Sequence, residues 1–415
     1  MKILTVLFLL IIEFSCLFGQ KSPKFNTREA ADMLALCTSY TFQELYGDDS
    51  EIIPEGYKRY YQSEPVGMDN MYQIYIKDTI AVINFRGSTS EMVSWWENFH
   101  AAMIPASGEI RGDLGTYTYD FALTEGATVH SGYSLGLVFL SLDIEAQMDS
   151  LRNKGIKEII ITGHSQGGAL ANLFFAFLNN DKACDICNQF SYRVYAFAAP
   201  MVGNDVFCKE YNEKFCTTNK SFNIINVEDP IPRLPFKFKD TIAYNDVVAS
   251  DKSLDWAINN ILPTKGYFRR KLSKKNHVYN KMLADFIKIQ LQGYVTHELL
   301  FMTKFSSKQA NKHLDADVEL PEFIKGVDFE VVGNIIKLSP FEYPKVLKDS
   351  TKLEKKKHQK RLSDDKETRF EKRYYYKKGS WVYQHKPYNY YVQFLKEYHK
   401  PEYKALKKKY LLENL

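Results

Sequence analysis

The segment KEIIITGHSQGGALANLFFAFLNN, residues 157–180, constrains this chain more than any other. Its first seven residues centre on an unbroken run of three isoleucines, Ile159 to Ile161, as a strand buried on both faces requires. Its last fourteen, from Gly167, are rich in Ala, Leu and Phe and read as a helix. Between them stands G-x-S-x-G, as Gly163-His164-Ser165-Gln166-Gly167. A strand that turns directly into a helix bends too sharply for side chains on both sides of the bend, which accounts for the flanking glycines. Such a turn holds Ser165 in strained backbone. It also exposes the hydroxyl and sets it against the positive end of the helix.

The surrounding chain alternates in the same way. YQIYIK (72–77) and TIAVINF (79–85) read as strands joined by a tight turn at Lys77-Asp78. RVYAFAA (193–199) and FNIINV (222–227) are further strands. Helices are expected after Asn26-Thr27, from about Ser90 to Met103, from Tyr133 to Arg152 and from Asn204 to Lys214. Strands alternating with helices predict an α/β fold, with a mainly parallel central sheet covered on both faces.

Charge divides the chain. Residues 340–415 hold 21 Lys/Arg against 10 Asp/Glu, and the remainder 34 against 40. Eleven of the 28 tyrosines also lie in 340–415. Three parts are therefore expected: a signal peptide over 1–20, an α/β domain over 21–300, and a C-terminal extension over 301–415, charged and Tyr-rich from about 350. The leader pairs Lys2 with an apolar run over 3–12, too short to span a bilayer comfortably. It predicts a secreted or periplasmic protein; lipidation at Cys16 is a weaker alternative, because Glu13 fits a lipobox badly. Five cysteines follow the leader. Cys184–Cys187 and Cys208–Cys216 are the nearest pairs, and disulfides or free thiols fit them better than zinc, since no His accompanies them.

Five blocks occur in order: VINFRGSTS (82–90), VHSGY (129–133), GHSQGGAL (163–170), FAAPMVGN (197–204) and INVEDPIPRLP (225–235). Together they resemble the class 3 lipase family, the fungal-lipase-like α/β-hydrolases, over roughly residues 30–290. Gln166 stands where Leu is common in that family, and Met201 where Arg is frequent. The resemblance implies an α/β-hydrolase fold and a Ser-Asp-His triad that hydrolyses carboxylic esters through an acyl-enzyme, with no metal or cofactor.

A serine hydroxyl needs a base to take its proton, and the base needs an orienting carboxylate. In α/β-hydrolases the chain order is Ser, acid, His. Ser165 is the nucleophile, and Asp229, followed by Pro230, matches the family's acid; Glu228 is the neighbouring alternative. Six histidines follow: His277, His297, His313, His358, His385 and His399. His277 is the expected base, because it precedes an apolar helical pattern as in the family. His297 is the runner-up, and the last three read as solvated residues of the charged tail. The oxyanion hole is expected from the backbone N–H of Gln166 and from Ser88, by its N–H and hydroxyl. His130 and His164 read as buried scaffold.

Met92, Trp96, Phe99 and Met103 recur on one helical face beside Trp95, and the resemblance implies that this segment is a mobile lid over the site. Its apolar stripe favours a lipid substrate, acylglycerol or phospholipid. A feruloyl-type or other carbohydrate-linked esterase is the nearest alternative, and a non-catalytic lipid- or surface-binding protein on the same scaffold is the second. Nucleic acid is not expected as a partner of an exported protein. The basic tail could instead associate with an anionic surface.

Overall fold

A computed structural model of the 415-residue chain describes residues 25–89, 91–112, 115–180, 184–235, 318–324, 328–341 and 381–407. The expected signal peptide, His277 and His297 lie outside the described residues.

In chain order the elements begin with helix α1 (Thr27–Tyr46) and strands β1 (Lys58–Gln62), β2 (Tyr72–Lys77) and β3 (Ile80–Phe85). Helix α2 (Met92–Phe99) and the short strands β4 (Met103–Pro105), β5 (Ser107–Gly112), β6 (Gly115–Asp120) and β7 (Thr128–His130) follow. Next come α3 (Ser131–Asn153), β8 (Glu158–His164), α4 (Gln166–Asn180), β9 (Ser191–Phe197), α5 (Asp205–Phe215) and β10 (Ser221–Asn226). The later elements used below are β11 (Val318–Glu319), β12 (Asn334–Leu338), α6 (Trp381–His385) and α7 (Pro387–Tyr398).

Seven strands form the central sheet in the order β1-β2-β3-β8-β9-β10-β12. β1, β2 and β3 are antiparallel neighbours, and every pairing from β3 to β12 is parallel. The parallel strands are buried on both faces by their own alternation. On β8, Ile159 and Ile161 join the core on one side, with Leu170 and Leu173 of α4 and Ile144 and Met148 of α3. Ile160 joins the other, with Met33, Leu34 and Leu36 of α1 and Tyr390, Phe394 and Leu395 of α7. The Asn26 side chain caps α1 by accepting from the N–H groups of Arg28 and Glu29, and Gly47 ends it in the left-handed region at φ 72°.

Two features differ from the sequence reading. The helix expected over 90–103 stops at Phe99, and Met103 instead opens β4, paired with His130 of β7. A strand partner captures the chain there: the His100 carbonyl accepts from the Ser131 hydroxyl at 2.7 Å, and the Ala102 carbonyl from the Ser131 N–H at 3.0 Å. Nor are the described parts of 301–415 peripheral to the body. β12 runs parallel to β10 with Ile336 opposite Ile224, and α7 packs on α1. Tyr388 and Tyr390 of the Tyr-rich stretch are buried, because their rings complete the apolar layer over α1 and β10.

Candidate active site

The strand-to-helix turn at the end of β8 has the expected geometry. Ser165 sits at φ 60°, a conformation side chains avoid. The bend excludes side chains from its flanks. A Cβ on Gly163 would lie 2.2 Å from the Gly167 carbonyl oxygen, and one on Gly167 2.3 Å from that of Phe85. The turn closes directly into the helix: the Gly168 and Ala169 N–H groups donate to the Ser165 carbonyl at 2.9 and 3.2 Å, so the serine stands at the N-terminus of α4.

Asp229 follows β10 and is buried, whereas Glu228 beside it is exposed. Its Oδ1 accepts from the Ile231 N–H at 3.0 Å. Its Oδ2 receives two contacts, the Tyr390 hydroxyl at 2.6 Å and His385 Nδ1 at 2.8 Å. The other ring nitrogen, His385 Nε2, lies 2.8 Å from Ser165 Oγ. One imidazole therefore bridges hydroxyl and carboxylate, and it comes from the tail that the sequence reading left to solvent. Helix α6 ends at His385, and α7 begins at Pro387, a residue suited to a helix's first turn. Burial holds the Tyr390 hydroxyl protonated well above its ordinary range, so it remains a donor.

His164 packs its ring 4.9 Å from that of His385 and 5.4 Å from that of Tyr390, and burial keeps it neutral. His130 is buried too, stacked 3.9 Å from Tyr133, with desolvation lowering its pKa to about 3. Both are buried, as the sequence suggested.

Ser88 and Gln166 meet across the site. The Ser88 hydroxyl donates to Gln166 Oε1 at 2.5 Å, and Asn98 Nδ2 of α2 reaches both Gln166 Oε1 and Ser88 Oγ at 3.0 Å. Helix α2 thus turns polar residues toward the site. Ser94 and Glu97 are buried with Trp96; Trp95 is half-buried and its Nε1 donates to the Thr89 carbonyl. The side chains of Met92 and Phe99 lie outside the described residues. Glu97 is wholly buried and accepts from Asn70 Nδ2 at 2.6 Å; desolvation raises its pKa to about 8.

Cys184 and Cys187 form a disulfide, while Cys37, Cys208 and Cys216 are free thiols. Among the described residues, no group of three or more His, Cys, Asp or Glu side chains could hold a metal ion. No helix among them is long and apolar enough to cross a membrane.

A mainly parallel sheet carrying a serine on a strained strand-to-helix turn, with a buried carboxylate beyond a later strand, defines an α/β-hydrolase. Residues 82–239 match the family model described as lipase (class 3). It is 28% identical over 155 residues to a protein of Fusarium solani named secreted mono- and diacylglycerol lipase 1, covering 37% of this chain and 39% of that one. It is 25% identical over 191 residues to the secreted mono- and diacylglycerol lipase LIP4 of Malassezia restricta, covering 46% and 58%. The chain thus spans less than two thirds of the length of these curated relatives. Among solved structures, the Rhizomucor miehei lipase propeptide complex is similar at 19% identity and a TM-score of 0.39, over 51% of this chain and 64% of that one.

Proposed function

We propose that this protein is a secreted serine hydrolase of carboxylic esters, with acylglycerols as its substrate class, and that Ser165, His385 and Asp229 are its triad. The observation that carries the reading is the His385 ring, 2.8 Å from Ser165 Oγ on one side and 2.8 Å from Asp229 Oδ2 on the other. In this reading Nδ1–H donates to Asp229, which leaves Nε2 as the acceptor of the serine proton. Ser165 attacks the ester carbonyl, and the proton passes to Nε2. His385 then gives it to the leaving alkoxide. Water, deprotonated by the same nitrogen, releases the acid and restores the serine.

The developing oxyanion is held by the Gln166 N–H at the start of α4 and by Ser88; losing one such donor typically costs roughly 3 kcal/mol in the barrier. The acylglycerol class and secretion draw support from relatives named secreted mono- and diacylglycerol lipases and from the leader pattern of residues 1–20.

The test is a set of alanine variants assayed on p-nitrophenyl butyrate and on mono- and diacylglycerols. Ser165→Ala and His385→Ala should each lose about three orders of magnitude or more in kcat while keeping the circular-dichroism spectrum. His277→Ala should stay within a few-fold of the unmodified enzyme. Loss in His277→Ala with retention in His385→Ala would overturn the assignment of the base. Substantial turnover by Ser165→Ala would overturn the whole reading.

A further inference from the structure

Helix α2 occupies the place where the sequence reading put a mobile lid, but its bonds are those of a fixed wall. Gln166 Oε1 is a hub: the Ser88 hydroxyl, Asn98 Nδ2 and, at 3.5 Å, the Ser94 hydroxyl all converge on it. Its Nε2 donates to Asn70 Oδ1 at 3.4 Å, and Asn70 in turn donates to Glu97. Tyr133 of α3 donates to Asn98 Oδ1 at 3.0 Å.

The next residue of the loop is tied as firmly. Thr89 donates through its hydroxyl to Asp69 at 2.5 Å, and its N–H reaches Ser94 Oγ at 3.3 Å. Asp69 is itself paired with Arg86 at 2.8 Å. Beneath the helix, α3 approaches so closely that a Cβ on Gly132 would lie 2.0 Å from the Glu97 carbonyl oxygen, and one on Gly136 2.6 Å from the Glu97 carboxyl. Lifting α2 would expose Glu97 and strip partners from Gln166, Ser88, Thr89 and Asn98 together. Each buried polar group left unpaired carries a desolvation penalty. Ser165 is already partly exposed with α2 in this position. The position after the nucleophile is also where this chain departs from the family, with Gln in place of the common Leu.

We propose that the Gln166 side chain is a positioning residue that binds helix α2 to the Ser88 loop, so that the oxyanion hole is assembled without a lipid–water interface. This rests on the ester-hydrolase reading above. An enzyme built in this way hydrolyses dispersed, water-soluble short-chain esters at its full rate and gains nothing from an interface. Leucine at this position has no acceptor for the Ser88 hydroxyl or the Asn98 amide, so Ser88 loses its orientation while the substrate's binding surface is unchanged.

The test uses the full chain and tributyrin, followed through its solubility limit. The unmodified enzyme should saturate below the limit, with no rise in rate as droplets form; a rise of tenfold or more at the limit would overturn the proposal. On p-nitrophenyl butyrate, Gln166→Leu should lower kcat by about ten- to a hundredfold with KM within about twofold. Gln166→Glu, which restores the acceptors, should recover part of that loss. A Gln166→Leu kcat within twofold of the unmodified enzyme would also overturn it. Should Gln166→Leu fail to fold, Asn98→Ala serves in its place: a kcat loss of at least threefold at constant KM supports the proposal, and an unchanged kcat overturns it. Ser165→Ala keeps the two readings apart. If that variant is inactive while Gln166→Leu is unimpaired, only the positioning role fails; if it is active, the ester-hydrolase reading fails first.

Discussion

Asp229 illustrates how much one residue depends on neighbours far along the chain. Its carboxylate accepts from Ile231, two residues away, but also from His385 and Tyr390, 156 and 161 residues away. Tyr390 holds Oδ2 in place by one hydrogen bond to a charged group, a contact worth about 1.5–3 kcal/mol. Tyr390→Phe should therefore lower kcat by roughly ten- to a hundredfold with KM nearly constant, and a melting curve should find the fold intact. Glu97 carries a second residue-scale prediction. Burial raises its pKa from 4.5 to about 8, so the fold prefers the neutral carboxyl. Its contribution to stability is complete below pH 4.5 and declines as pH rises through about 8. Its buried neighbours are Asn70, Gln166 and Tyr133, none of them cationic. Glu97→Gln removes the titration, so the variant should melt at a higher temperature than the unmodified protein at pH 9 and at a similar one at pH 4.5.

At the scale of elements, the strands and long helices follow local pattern, whereas α2 does not. The stripe through Trp96 suggested an apolar face for lipid, with Glu97 and Asn98 on the far side. In the fold Trp96 is buried together with Glu97, because two glycines of α3 admit the Glu97 carbonyl and carboxyl and Asn70 supplies a donor. Hydrophobic periodicity reads a helix's apolar side; it does not register a polar side that finds buried partners. Gly132→Ala should show that this seat is steric. The added methyl meets backbone oxygen, so α2 must shift, at a cost of about 1–3 kcal/mol in stability. Chemical denaturation would measure that loss, and an ester assay the accompanying fall in kcat.

For the molecule as a whole, the described part of the C-terminal region builds the body instead of extending it. Strand β12 joins the sheet beside β10, and α7 inserts Tyr390, Phe394 and Leu395 into the layer under α1. A chain ending at residue 380 would lose His385 together with that layer. It should be inactive and largely insoluble, as expression followed by gel filtration would establish; a soluble, folded product would contradict this account. The sequence by itself determined the strand–turn–helix at Ser165, the parallel strands around it and the place of Asp229 just beyond the strand over 222–227, because each is written in adjacent residues. It could not single out the imidazole. Six histidines follow Asp229, and among the described residues the one at hydrogen-bonding distance from Ser165, His385, lies in a charged segment whose apolar face shows only at helical spacing, as Val392, Phe394 and Leu395 behind Pro387. Only the packing of α7 against α1 and β10 carries His385 to the serine, since a contact across 220 residues is set by buried surface and not by local pattern.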